Sequence, residues 1–225
     1  MNELDIRNFF ATYSGPRSAE LGQDIFVLAL TQQKSQGYFV EFGAMDGCFA
    51  SNTLMLEQQH SWRGIVAEPA RRFHEALARN RQCRIDHRAV TGRTGDRLEF
   101  KEVPAAPGLS TLVEHINSDG HAQRRIKSDG DVYAVDTVTL NDLLTCHGAP
   151  QHIDYISVDT EGAEVSVLEA FDWTQWRVDA WTIEHNNQDK ARNRIFEILS
   201  QQGYTRLMTD KSRYDDWYVR TELLN

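Results

Sequence analysis

Cysteine is scarce in this sequence: Cys48, Cys83 and Cys146 are the only three in 225 residues, and no two of them form a Cys-x-x-Cys pair. An odd, dispersed set argues against a disulfide framework or a zinc knuckle and fits a reducing compartment. Long apolar runs are missing too. None approaches the roughly 18 residues that a membrane-spanning helix needs. The opening "MNELDIRNFF" carries acids early and has no apolar h-region, so no signal peptide is read and a cytoplasmic location is expected. Basic charge is also short. With 24 Lys and Arg against 33 Asp and Glu, the net charge is −9. That balance argues against a mainly electrostatic partnership with nucleic acid. Neither an internal repeat nor a low-complexity segment appears. The expectation is one soluble domain over 1–225, long enough to bury a full core.

What is present is an alternation of strand-like and helix-like segments. "YFVEF" (38–42), "GIVAEP" (64–69), "CRIDHRAV" (83–90), "HIDYISVD" (152–159) and "VDAWTIEHN" (178–186) read as strands. Helices are expected over 20–35, near 51–60, through "ARRFHEALARN", after Thr139 or Asn141 as N-cap, through "GAEVSVLEAFDW", and through "QDKARNRIFEILSQQG" with Gly203 as its C-terminal cap. The alternation predicts a mostly parallel α/β sheet with helices on both faces. "YTRLMTD" and "YDDWYVRT", joined by a short polar turn, predict an antiparallel pair at one edge. A helical lead-in over 1–36 precedes the first strand. "GDRLEFKEV" (95–103) reads as an extended edge or hairpin element, and the polar, glycine-broken stretch 104–131 as an insertion over one rim.

The turn after the first strand carries the first functional signal. It reads Glu41-x-Gly43-x-x-Asp46-Gly47, with Ser51 and Asn52 close behind. A dinucleotide fold would place Gly-x-Gly-x-x-Gly here to seat a pyrophosphate. That spacing is absent and the loop is acidic, the wrong sign for a diphosphate and the right one for a cation. S-adenosylmethionine has a sulfonium, an ammonium and no phosphate. Glu68 ends the second strand, where a carboxylate can accept from both ribose hydroxyls. The plainer alternative is that Gly43 and Gly47 are turn glycines and Glu68 a helix cap.

These blocks, "GQDIFVLAL…GYFVEFGAMDGCFASNTLMLEQQHSWRGIVAEP", "IDYISVDTEGAEVSVLEAFDW", "WTIEHN" and "DDWYV", resemble the FkbM-type S-adenosylmethionine-dependent methyltransferases. The resemblance spans about 13–220. It implies a Rossmann-like class I methyltransferase fold, with a mostly parallel seven-stranded sheet and an antiparallel terminal strand. It also implies O-methylation, commonly of sugars, glycan precursors or natural products of the polyketide or macrolide type. By that resemblance Glu41, Gly43, Asp46, Gly47, Ser51 and Asn52 surround the methionine part of the cofactor. Glu68, followed by Pro69, holds the ribose, and Arg88 and Ala89 lie near the adenine. Met45 stands where relatives often carry a small polar residue.

A second constellation closes the fourth and fifth strands: Asp159, Glu161, Glu184 and His185. If those strands are neighbours, all four side chains meet at the cofactor's rim. Methyl transfer to oxygen requires the acceptor to be positioned and deprotonated. Asp159, Glu161 and His185 are the candidates for that work, His185 as general base by its unperturbed pKa. Alternatively, a hard divalent cation such as Mg²⁺ on Asp159, Glu184 and His185 or Asn186 would acidify the hydroxyl. The plain account of Glu161 and Glu164 is acid at a helix N-terminus. Arg124, Arg125 and Lys127 in the insertion suggest an anionic acceptor or a simple charged loop, and "GLST" (108–111) suggests a flap. Two rival functions stand: a nucleotide-sugar oxidoreductase or epimerase on a similar sheet, and a non-catalytic partner domain that keeps the fold.

Overall fold

The computed structural model describes residues 2–224. Two helices, α1 (Glu3–Thr12) and α2 (Gln23–Leu30), lead into β1 (Tyr38–Phe42), α3 (Leu54–His60), β2 (Arg63–Ala67), α4 (His74–Asn80) and β3 (Arg84–Asp86). A second group follows: β4 (Ala89–Val90), β5 (Arg97–Lys101), β6 (Thr111–Leu112), α5 (Ala122–Lys127) and β7 (Val132–Val138). The chain then runs through α6 (Leu140–Cys146), β8 (His152–Val158), α7 (Glu164–Ala170), β9 (Arg177–Glu184), α8 (Asp189–Gln201), β10 (Tyr204–Leu207) and β11 (Asp215–Arg220). None of the described helices is long and apolar enough to cross a membrane.

Seven strands form one sheet in the order β10-β11-β9-β8-β1-β2-β3. Strand β1 pairs in parallel with β2 on one side and β8 on the other. The chain therefore fills one half of the sheet, returns, and fills the other half from β8. The reversal falls between β1 and β8, where an open α/β sheet forms its ligand crevice. The expected α/β architecture is present. The terminal pair lies at one edge of the sheet and is antiparallel, as expected. Strand β11 is antiparallel to both β9 and β10, so it lies inside the sheet, and β10, parallel to the rest, is the edge. The reason is burial: Trp217, Tyr218 and Val219 are consecutive and fully enclosed, which an outer strand with one solvent face does not require.

The segment 83–90 is likewise two strands rather than one. After Asp86 the chain leaves the main sheet, and β4 pairs with β7 in a smaller sheet ordered β4-β7-β5-β6. The Asp86 carboxylate draws the turn together, accepting from Arg88 N at 2.9 Å and contacting His147 Nε2 at 2.8 Å. The 104–131 insertion contains β6 and α5 and belongs to this smaller sheet's side of the molecule. Helix ends follow local chemistry. Thr139 caps α6 by accepting from Asp142 N, and Gly203 closes α8 at φ +81°.

Strands buried on both faces read as continuous apolar runs. In β1, Phe39 packs in the layer with Phe26, Leu28 and Trp217. Val40 and Phe42 pack in the opposite layer with Leu143, Leu168 and Trp181. Trp176 and Trp181 are core residues, and Phe171 meets Trp181 edge-on at 5.4 Å. The three cysteines are unpaired.

Candidate functional site

The C-terminal ends of β1, β2 and β8 open into a pocket of about 630 Å³. Its walls are Phe42 and Gly43 from β1, Glu68 and Pro69 after β2, Arg88 and Ala89 after β3, and Asp159 after β8. Its apolar floor is Val90, Phe100 and Leu112 of the smaller sheet, and Pro107, Gly108 and Ser110 cover it. The sequence marked 95–103 as extended but carried no sign that Phe100 would face this pocket.

Two backbone facts shape the loop after β1. Gly43 sits at φ +71°, and a Cβ there would stand 2.1 Å from the Asp159 carbonyl oxygen. Gly47, at φ +80°, would press a Cβ to 2.6 Å from Arg81 Cγ. Glu68 is a buried residue of the pocket wall. Its Oε2 accepts from Met45 N at 2.8 Å and its Oε1 from Ala70 N at 2.7 Å. Each oxygen keeps a lone pair for a ligand. Burial pushes this carboxyl up to about 7.

Glu41 has a different office. Oε2 accepts from Ser51 Oγ at 2.9 Å and Arg81 Nη1 at 3.2 Å, and Oε1 accepts from Asn52 N at 2.7 Å. Arg81 is enclosed, with Glu57 as its second carboxylate partner. Glu41 and Ser51 thus hold the loop in place from beneath and do not line the pocket. Asp46 accepts from Cys48 N and Phe49 N in a local turn and also stands outside it. Asn52 donates to Ser157 Oγ at 2.8 Å, facing a smaller neighbouring cavity. Arg88 lines the pocket while its guanidinium holds Asp86, which lies at about 2, kept low by this partner and His147 despite burial.

The second constellation assembles in part. Asp159, Glu161 and Glu184 bring carboxylate oxygens within 4.8 Å of one another. Asp159 faces the pocket and Glu184 is buried behind it, the two sharing a hydrogen bond. Desolvation raises Asp159 to about 7, and burial with the Asp159 charge pushes Glu184 well above the usual carboxylate range. Burial and Asp159 also raise Glu161 to about 9, with Arg125 opposing them. Glu164 is a local cap, its Oε1 accepting from Thr160 N and Gly162 N.

His185 does not join the group. His185 follows the last residue of β9, and its ring is directed toward Asp216. Its Nδ1 accepts from Asn187 N, and its Nε2 lies 3.8 Å from Asp216 Oδ1. Arg125, read from sequence as a candidate anion contact, is wholly enclosed. It holds Asp119 at 2.7 and 2.8 Å, Glu161 at 2.5 Å and the Leu109 carbonyl at 2.9 Å. This one side chain fastens the insertion to the site.

Residues 41–206 match the Methyltransferase FkbM domain family, well over half the chain. The chain belongs to the FkbM methyltransferase family. No curated protein matches the sequence. Among solved structures it is similar to a precorrin-6y C5,15-methyltransferase from Geobacter metallireducens GS-15, at 11% identity and TM-score 0.45, covering 97% of this chain and 95% of that one. A human methyltransferase 10 domain containing protein is similar at 11% identity and TM-score 0.42, covering 92% of this chain and 83% of that one.

Membership in the FkbM family implies S-adenosylmethionine as methyl donor, and the pocket's chemistry fits it. A carboxylate with free lone pairs suits a ribose diol, and the apolar floor suits a purine. A divalent cation on the three clustered carboxylates fits poorly. Oε2 of Glu161 already accepts from Arg125 and from Asn186 Nδ2 at 3.0 Å, and Oε2 of Glu184 from the same amide at 2.7 Å. Arg125 supplies the positive charge that a metal would bring. The expected set of Asp159, Glu184 and His185 is not assembled, because the His185 ring is engaged by Asn187 N and directed toward Asp216.

Proposed function

We propose that this FkbM-family protein methylates a hydroxyl group of a sugar, glycan or glycosylated precursor. The observation that carries the reading is the Asp159–Glu184 pair. Asp159 opens onto the donor pocket with its carboxyl raised to about 7, close to the value at which a general base works best near neutral pH. S-adenosylmethionine, when bound, supplies the electrophilic methyl group. Glu68 accepts from the ribose hydroxyls, and Pro69, Arg88 and Ala89 border the adenine. Gly43 offers bare backbone beside the methionine part. Glu41, Asp46, Gly47 and Ser51 act through the loop they hold.

Asp159 takes the acceptor's proton, and Glu184 stabilises its charge by donating to it. Glu161 is a positioning residue, held by Arg125 and Asn186. A saccharide is favoured because the rim beyond Glu184 is polar. A cavity of about 360 Å³ there is lined by Asp119, Glu184, His185, Asn186 and Gln188. Such groups pair with vicinal hydroxyls. Arg124 and Lys127 stay exposed on the insertion, available to an anionic acceptor. The test is the Asp159→Asn variant, which should bind S-adenosylhomocysteine within about threefold of wild type while turnover falls on the order of 10²-fold or more.

A further inference from the structure

Behind the donor pocket lies a second cavity of about 230 Å³, bordered by Gln23, Asn52, Asp159, Glu184, Tyr214 and Asp215. Asp159 is common to both cavities. Asp215 opens β11 directly opposite Glu184 of β9. Its side chain is anchored on one oxygen only, with Oδ2 accepting from Gln23 Nε2 at 2.9 Å and Trp217 Nε1 at 3.0 Å. The residue is 4% exposed, and Oδ1 has no hydrogen-bond partner. Buried acceptors left without a donor are uncommon in folded proteins and mark places where a ligand completes the structure.

The cavity's other polar atoms show what that ligand must bring. One amide N–H of Asn52 goes to Ser157 Oγ, and one of Gln23 goes to Asp215 Oδ2. The Thr182 hydroxyl is paired with that of Tyr155 at 2.6 Å, and the Tyr214 hydroxyl is bonded to Glu20. Neither Lys nor Arg lines the cavity. With three carboxyl groups on its wall and no basic residue, the cavity disfavours carboxylates and phosphates as guests. A divalent ion on the Asp159, Glu161 and Glu184 group would leave Asp215 outside its ligand set. An ammonium group has three donors and a positive charge on one small atom.

We propose that Asp215, with Glu184 opposite it, forms a subsite for a primary ammonium group. The inference rests on the methyltransferase reading above. Two molecules of that reaction can carry such a group: the donor, at its amino-acid end, and an acceptor bearing an amino substituent.

Calorimetry separates them. S-adenosylhomocysteine and its analogue with hydrogen in place of the amino group are titrated into wild type and Asp215→Asn. Asparagine keeps an oxygen for Gln23 and Trp217 and turns an N–H toward the ammonium. If the donor fills the subsite, loss of the amino group weakens binding to wild type by about 30-fold, and Asp215→Asn weakens the parent alone by a similar factor. If the two nucleosides bind wild type equally, the protein saturated with S-adenosylhomocysteine is titrated with glucosamine and with glucose. A preference for glucosamine of about tenfold that disappears in Asp215→Asn assigns the subsite to the acceptor. Equal nucleosides with no glucosamine preference overturn the proposal, as does any preference that survives in Asp215→Asn. Should the variant not fold, the wild-type comparisons decide alone. Failure of wild type to bind S-adenosylhomocysteine at all contradicts the methyltransferase reading itself and takes this inference with it.

Discussion

The Asp159 carbonyl oxygen occupies the space where residue 43 would carry a Cβ, 2.1 Å from that atom's ideal position. The ends of β1 and β8 can meet at the crevice only because residue 43 is glycine, and its φ of +71° adds a second reason. Gly43→Ala must push the two strand ends apart. The expected result is a loss of about 1–3 kcal/mol in stability together with weakened S-adenosylhomocysteine binding, read by urea denaturation and calorimetry. Unchanged values of both would contradict this account of the turn.

Glu68 receives two backbone N–H groups and still presents lone pairs to the pocket. Glu68→Gln replaces one acceptor oxygen with a donor that opposes both Met45 or Ala70 and a ribose hydroxyl. Affinity for S-adenosylhomocysteine should fall by at least about tenfold. Adenine alone should lose less, because it has no ribose to miss the contact. Equal losses would remove Glu68 from the ribose.

Stability of the ligand-free protein should depend on pH in an unusual direction. Glu68, Asp159 and Asp215 all lie near 7 in the folded chain, against ordinary values of 4.5, 3.8 and 3.8. The folded state therefore holds protons that the unfolded chain has released. Their contribution is full below about pH 4 and is lost as pH rises through about 7. Urea midpoints should fall between pH 5 and pH 8, as the free energy of unfolding drops by on the order of a few kcal/mol. A rising midpoint over that window would contradict the burial assigned to these carboxyls.

Arg125 neutralises the acid group and ties down the insertion at once. Removing it leaves Asp119 and Glu161 enclosed without their cation, so Arg125→Ala should cost about 3–5 kcal/mol and expose 104–131 to proteolysis. Because the cation is internal, a chelator should leave turnover of the wild type unchanged. Activity lost in chelator and restored by Mg²⁺ would restore the metal reading.

Much of the fold was legible because it is local. Runs such as "YFVEF" and "HIDYISV" mark buried strands, and their alternation with helices marks a parallel sheet. The place of β11 was not, since strand order depends on partners far apart in the chain; the consecutive Trp217, Tyr218 and Val219 were the available hint. The break after Asp86 was hidden because His147, 61 residues on, helps to make it. Glu68 was found because its position follows from a strand end. His185 was misplaced because the neighbour of its ring, Asp216, lies on β11, a strand whose place in the sheet is not local. Arg125 was misread as a free cation because its partner Glu161 is 36 residues away, and its nearer partner Asp119 lies in an irregular stretch with no helical spacing to mark the pair.

The most direct test of the central claim follows a labelled methyl group. The protein is incubated with methyl-labelled S-adenosylmethionine and a panel of saccharides and glycosylated precursors, and the products are read by mass spectrometry and NMR. The account predicts a gain of one CH₂ with the label on a hydroxyl oxygen, abolished by Asp159→Asn. Label on nitrogen or carbon, or undiminished transfer by that variant, would contradict it.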